Sequence, residues 1–295
     1  MPVEEKMMSL NREHVEKQIP QDLLKRIEQV EEWFKNQSEQ EFPKKIALFD
    51  LDNTLLVGDC GDALFAQLKI DEQENNKPLT IDNRMIPFSW WEYQEVLKTQ
   101  GKVAAYSQVI QCMAGLPLET LLETSRRVMN SPLEYLEIEG VKIPVPYPHP
   151  RMQALLVYLK SLGYEIYIIS ATNQYTVRYV AKEYFGVPET NTFGMVPSVQ
   201  NDPQYGKIIG DEIEGPVTVV EGKVEVYKNN IGSVPPLISG GDSTTDIMML
   251  NLTDPNGLII WVGEDSKELE EIKKEVTHPE ILHFFNQSAA KAPYK

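Results

Sequence analysis

The chain has 295 residues, 42% of them hydrophobic, and a formal net charge of −16, so it can bury a proper core and is not expected to be disordered. A surface this acidic argues against any sequence-independent hold on nucleic acid or anionic lipid, because both rest on clustered Lys and Arg. No apolar run approaches the roughly 20 residues of a membrane helix, and residues 1–16 mix charges of both signs without an apolar stretch, which predicts a cytoplasmic protein with no membrane partner. Cys60 and Cys112 have neither the spacing of a zinc site nor the density of a disulfide framework, so reduced thiols are expected.

Residues 1–43 read as an N-terminal helical extension, in which Leu23, Leu24, Ile27, Val30 and Phe34 recur at three- and four-residue intervals, the pattern of an amphipathic helix packed on the main body. The run from Ile46 to Phe49 is continuously apolar, as a strand buried on both faces of a parallel sheet should be, and it turns polar at Asp50. About a hundred residues of mainly helical pattern follow, with helices predicted over 90–99, 101–113 and 118–129. Residues 59–148 therefore read as a helical cap domain inserted at the mouth of a site. Pro144, Pro146, Pro148 and Pro150 favour an extended return linker.

A helix over 150–163 and apolar runs at 166–169, 237–238 and 258–262 complete an alternation of strand and helix. This predicts an α/β fold, a doubly wound Rossmann-like parallel sheet, over residues 44–58 and 149–295. A β-rich stretch from Ile208 to Lys223, with Gly210 and Gly215, predicts a hairpin. In such sheets ligands bind beyond the carboxyl ends of the strands. Three runs end in polar clusters, Asp50-Leu-Asp52, Ser170-Ala-Thr-Asn173 and Gly240-Gly-Asp242-Ser-Thr-Thr-Asp246, and clusters at one edge make one site.

Asp50 and Asp52 flank Leu51, so in extended backbone both carboxylates point to one side and repel. The pair is tolerable if a divalent cation neutralises it or one member holds a proton. Hard oxygen donors at Asp50, Asp52 and Asp242 suit Mg²⁺. A carboxylate at Asp50 can attack phosphorus to form an aspartyl phosphate, with Asp52 as general acid and base.

Asp50-Leu-Asp52-Asn-Thr54 resembles the D-x-D-x-T signature of the haloacid dehalogenase superfamily, and Ser170, Lys223 and Gly241-Asp242-Ser-Thr-Thr-Asp246 follow in the order of its later motifs. The resemblance implies Asp50 as nucleophile and Asp52 as its acid/base partner. It implies that Ser170, Ala171, Lys223 and Asn53 bind the phosphoryl group, and that Asp50, the backbone carbonyl of Asp52, Asp242 and Asp246 hold Mg²⁺. Lys207 and Lys228 are alternatives for the motif lysine. The position of the cap is similar to the class I cap of phosphoserine, phosphocholine and phosphoethanolamine phosphatases, although Ser170-Ala-Thr-Asn173 stands where phosphoserine phosphatases usually have Ser-Gly-Gly.

The activity so implied is hydrolysis of a small phosphomonoester, with phosphotransfer to an alcohol, a nucleotide phosphatase or a non-catalytic binding module as alternatives. Asp59, Asp62, Trp90, Trp91 and Asn173 are candidate specificity residues. The cap aromatics Phe88, Trp90, Trp91, Tyr93 and Tyr106 offer faces to a quaternary ammonium. Nothing in the residues fixes the oligomeric state.

Overall fold

The structure is a computed structural model that describes residues 15–286 except 39, 41, 88, 264 and 265, so Phe88 and most of residues 1–16 lie outside the described residues. Helix α1 (Gln21–Phe34) buries Leu23, Leu24, Ile27 and Val30. These side chains join the same apolar cluster as Ala47, Phe49, Ile166 and Ile168, so the helix docks on its own domain. Each fully buried aliphatic side chain contributes about 1.5–3 kcal/mol. At its far end the Glu31 carboxylate meets Lys45 Nζ at 2.7 Å.

Strand β1 (Lys45–Phe49) runs to Asp50, and the short β2 (Leu56–Val57) follows. The chain then leaves the sheet through α2 (Cys60–Asn75), α3 (Trp90–Gln100), α4 (Lys102–Cys112) and α5 (Leu118–Met129). It returns by β3 (Tyr135–Ile138), β4 (Val141–Pro144) and β5 (Tyr147–Pro148). The helices pack around their own apolar cluster of Leu64, Phe65, Trp90, Tyr93, Leu116 and Leu121. Strand β5 pairs antiparallel with β2, so departure and return are tied together at the sheet edge.

The main body continues with α6 (Pro150–Ser161), β6 (Tyr164–Asn173), α7 (Gln174–Phe185), β7 (Thr192–Asp202) and β8 (Gly206–Glu214). It ends with α8 (Glu221–Asn230), β9 (Ile238–Gly241), α9 (Ile247–Leu250), β10 (Leu258–Gly263), α10 (Ser266–Ile272) and β11 (Leu282–Asn286). The 7-stranded sheet has the order β11-β10-β9-β1-β6-β7-β8, parallel except for the β7–β8 pair. Along β1, Ala47 and Phe49 enter one apolar layer, and Ile46 and Leu48 the opposite one with Val226, Tyr227 and Trp261. Period-two alternation with both faces covered is what made the run continuously apolar.

The predicted hairpin is displaced. Its strands are β7 and β8, turning between Asp202 and Gly206, so it begins some fifteen residues before the expected stretch, and Lys223 lies in helix α8. Pro197 hid the first strand: it interrupts the alternating pattern where the pairing register shifts. Beyond the sheet, the hairpin supports the cap, since Ile208 bridges to Pro117 and Ile209 joins the cap cluster.

His149 stands where cap returns to core, its backbone N–H donating to Leu55 O at 2.9 Å. Its ring is wholly buried, lies edge-on to Phe285, and neither ring nitrogen has a hydrogen-bond partner among the described residues. Burial, aided by Arg151, pushes its pKa from 6.5 down to about 4. The unfolded chain thus takes up a proton that the folded protein refuses, so stability present above pH 6.5 falls as the pH drops towards 4. Over that window the loss amounts to about 3 kcal/mol. Urea unfolding of His149→Phe is expected to lack this component of the acid sensitivity while matching the wild type near neutrality; equal pH slopes would refute it.

Candidate active site

Strands β1, β6 and β9 are neighbours at the centre of the sheet, and the chain order reverses around β1. Their carboxyl ends open one crevice, the place where ligands bind in such sheets. Asp50, Ser170 and Asp242 come from these three ends.

Two glycines at the end of β9 make room, one for the neighbouring strand and one for the loop that follows. A Cβ on Gly240 would fall 2.6 Å from the Phe49 ring, and one on Gly241 would fall 2.7 Å from Asp246 Cβ. Asp246 ties the loop after β9 together: its Oδ2 accepts from the backbone N–H of Asp242 at 3.2 Å and of Ser243 at 3.1 Å. Its Oδ1 meets Lys223 Nζ at 2.6 Å, and the same ammonium reaches Asp50 Oδ1 at 2.5 Å. Of the lysines considered for the motif, Lys223 is the one the fold buries, at 1% exposure. It heads α8 after a contorted approach. Val220 is held at φ 51, ψ −110, costly for a β-branched residue, and a Cβ on Gly222 would overlap Val217 O. Thr218 Oγ1 donates to Ser170 O at 2.6 Å, fastening this approach to β6.

Asp52 turns away from Lys223. Its Oδ1 accepts from Cys60 N at 2.7 Å, and its Oδ2 accepts from the hydroxyls of Ser170 at 3.1 Å and Thr172 at 2.9 Å. Thr54 donates to Asp242 Oδ1 at 3.0 Å. Asn53 takes the left-handed conformation, φ 56, which Asn tolerates, and lines the cavity with Ala171.

The charge count is lopsided. Asp50, Asp242 and Asp246 bring one carboxylate oxygen each within 4.8 Å of one another, against the single ammonium of Lys223. Burial, with Asp246 and Asp52 nearby, raises Asp50 to about 7 although Lys223 opposes it. Burial followed by the fields of Asp246 and Asp50 pushes Asp242 well above the usual carboxylate range. Lys223 is raised: burial pulls it down, but Asp246 and Asp50 prevail. With all three ionised the surplus would be about two negative charges on hard oxygens, which is what a divalent cation would balance.

Above this cluster lies a cavity of about 130 Å³ whose cap-side wall includes Asp59, Asp62, Tyr93, Lys102 and Tyr106. Asp59 caps α2, accepting from Asp62 N at 2.8 Å. Burial, then the fields of Asp52 and Asp62, push it well above the usual carboxylate range. Burial raises Asp62 to about 6 against a hydrogen bond from Tyr93.

Of the other candidate specificity residues, Trp90 is buried in the cap cluster between Phe65 and Tyr93 and Trp91 is 59% exposed. Neither lines the cavity; the packing of α3 on Phe65 turns Tyr93 to it instead. Asn173 reaches the lining, but its side chain caps α7 by accepting from Thr176 N at 2.9 Å. Sequence reasoning missed Thr172, Gly61, Thr218 and Lys102. The spacing of Thr172 from Ser170, two residues along a strand and hence on one side, was the one available signal.

Replacing Lys223 by Met would leave Asp50 and Asp246 buried without their cation, a loss of about 3–5 kcal/mol near neutral pH. Denaturant titration should recover part of this in Lys223→Met/Asp246→Asn; an unchanged single variant would mean the pair is not buried as described.

The model of the haloacid dehalogenase-like hydrolases matches residues 47–251. The chain is similar to phosphorylcholine phosphatase of Pseudomonas aeruginosa, 25% identical over 77% of this chain and 76% of that protein. Among solved structures it resembles a protein of unknown function from Bordetella pertussis, with TM-score 0.56 and 18% identity over 83% of this chain and 99% of the other. It also resembles a HAD family hydrolase from Salmonella enterica serovar Typhi, with TM-score 0.51 and 15% identity over 83% of this chain and 69% of the other. Both structural likenesses concern the fold. With its motifs gathered in one crevice and its family model spanning most of the catalytic body, the chain belongs to the haloacid dehalogenase-like hydrolases.

Proposed function

We propose that this hydrolase is a Mg²⁺-dependent phosphatase that cleaves small phosphomonoesters through an aspartyl phosphate on Asp50. The observation that carries the reading is the Asp50–Lys223–Asp246 ion-paired cluster beside Asp242, with Asp52 held separately by hydroxyl and amide donors. Two carboxylates with different surroundings suit two roles. An oxygen of Asp50 attacks phosphorus, the ester P–O bond breaks, and the proton on Asp52 passes to the departing alkoxide. Asp52, now ionised, accepts a proton from a water whose oxygen attacks the phosphorus; the bond to Asp50 breaks and inorganic phosphate leaves. Lys223 and the hydroxyl of Ser170 stabilise the phosphoryl oxygens as charge spreads over them. Asp50, Asp242, Asp246 and the carbonyl of Asp52 would hold Mg²⁺, whose charge would offset that of the phosphoryl group.

Phosphate release should require Mg²⁺, stop with EDTA and disappear in Asp50→Asn. Asp242→Asn should raise the Mg²⁺ concentration needed for half-maximal activity. Release that survives Asp50→Asn would sink the aspartyl-phosphate route.

For the substrate, an acidic cavity wall beside a dianionic phosphate disfavours a further anionic group and favours a positive one. Asp59 and Asp62, with the rings of Tyr93 and Tyr106, favour an ammonium head such as that of phosphocholine or phosphoethanolamine, and the similarity to phosphorylcholine phosphatase points the same way. Lys102 on that wall gives the carboxylate of phosphoserine a partner as well. We expect Asp59→Asn and Asp62→Asn to raise KM about tenfold for phosphocholine and phosphoethanolamine but not for glycerol 2-phosphate. Lys102→Ala should harm phosphoserine alone. Equal effects on all four esters would remove the cationic-head reading.

A further inference from the structure

The two oxygens of Asp52 are served by the hydroxyls of Ser170 and Thr172 and the N–H of Cys60, with the Cys60 thiol also hydrogen-bonded to this carboxylate, and one of these donors has a competing duty. Ser170 donates to Asp52 Oδ2 at 3.1 Å, yet a hydroxyl has one proton to give. If Ser170 holds the phosphoryl group, as in the function proposed above on which this inference rests, Asp52 loses that donor whenever substrate is bound. The hydroxyl of Thr172, at 2.9 Å from the same oxygen, and the N–H of Cys60 on the other then remain. Thr172 also controls Ser170, because its backbone N–H donates to Ser170 Oγ at 3.0 Å. One residue thus orients the phosphoryl-holding hydroxyl with its main chain and the acid/base carboxylate with its side chain.

The neighbouring helix is cut to fit this hydroxyl. Gly61 stands in the first turn of α2, and glycine is a poorer helix former than Ala. Its φ is not positive, so its backbone does not demand glycine. The demand is for space: a Cβ there would fall 2.6 Å from Thr172 Oγ1.

We infer that Thr172 is a positioning residue for proton transfer, its hydroxyl fixing the Asp52 carboxyl against the leaving-group oxygen while Ser170 is engaged, with Gly61 as the clearance that admits it. The residue touches neither phosphorus nor the attacking oxygen, and acts through Asp52.

The test compares kcat/KM, which reports events up to phosphoryl transfer onto Asp50, for p-nitrophenyl phosphate and glycerol 2-phosphate with Mg²⁺. The nitrophenolate leaves without a proton, whereas the alkoxide needs one. Thr172→Val is expected to lower kcat/KM for glycerol 2-phosphate roughly 10- to 100-fold and to spare p-nitrophenyl phosphate, and Thr172→Ser to restore the loss. Gly61→Ala should reproduce this leaving-group pattern and add nothing on top of Thr172→Val. It keeps the question open to decision if Thr172→Val folds poorly by circular dichroism. Equal losses on both esters, or a Ser variant as impaired as the Val variant, would overturn the inference. Asp50→Asn serves as the separate control. If it abolishes both activities while Thr172→Val and Gly61→Ala stay at wild-type level, the positioning role alone fails; if it retains Mg²⁺-dependent release, the underlying mechanism fails.

Discussion

The constraint on which this architecture turns is a surplus of buried carboxylate around one ammonium. Asp50, Asp242 and Asp246 converge on a site where Lys223 pairs with both Asp50 and Asp246. Such a cluster does not hold a fold together; taking charges out of water costs more than their pairing usually returns. It persists because the rest of the molecule over-determines it. Gly240 lets β9 close on Phe49 and Gly241 leaves room for Asp246, Asp246 is pinned by the N–H groups of its own loop, and the strained turn at Val220 sets the start of α8 so that Lys223 points inward. The offsetting stabilisation comes from the apolar layers on both sides of the sheet, to which helix α1 adds a covering face.

Topology explains why these particular residues meet. Starting from β1, the chain adds β6 on one side and later β9 on the other. The reversal leaves a gap between the connections at the carboxyl edge of the sheet. Residues separated by more than a hundred positions, such as Asp52 and Ser170, come within hydrogen-bond distance. The inserted helices grow from that same edge, so the first of them, α2, directs the N–H of Cys60 at Asp52, and the crevice and the helical wall above it share one carboxylate as their seam.

Much of this was legible in the residues themselves. A continuously apolar run ending in Asp50 can be read as a central strand because both its faces are covered, and the ordered polar clusters imply one edge. The site's floor was readable because each of its residues sits at a strand end or helix start, where local pattern fixes direction. The hairpin at β7 and β8 was harder, since Pro197 disguised a strand and Gly210, opposite Ser198 with no room for a Cβ, looked like a turn. The cap wall was hardest. Whether Trp90, Trp91 or Tyr93 faces the cavity depends on a helix rotation of about a hundred degrees per residue, and that rotation is set by packing on Phe65, which no local pattern records.

That rotation has a chemical consequence. By burying Trp90 and bringing Tyr93 to the cavity, α3 presents a ring whose hydroxyl hydrogen-bonds Asp62, so the wall there is an aromatic surface backed by carboxylate rather than a purely apolar slot. With Asp59 and Asp52 also on the lining, carboxylates outnumber the lysines there, Lys223 and Lys102. Under the proposed mechanism a phosphomonoester enters this field carrying two negative charges of its own. A cationic head cancels part of that repulsion at the wall while the phosphate meets its cations on the floor. A nucleotide bearing further phosphates would carry more negative charge against the same carboxylates, and the discrimination would come as much from what the wall repels as from what it attracts.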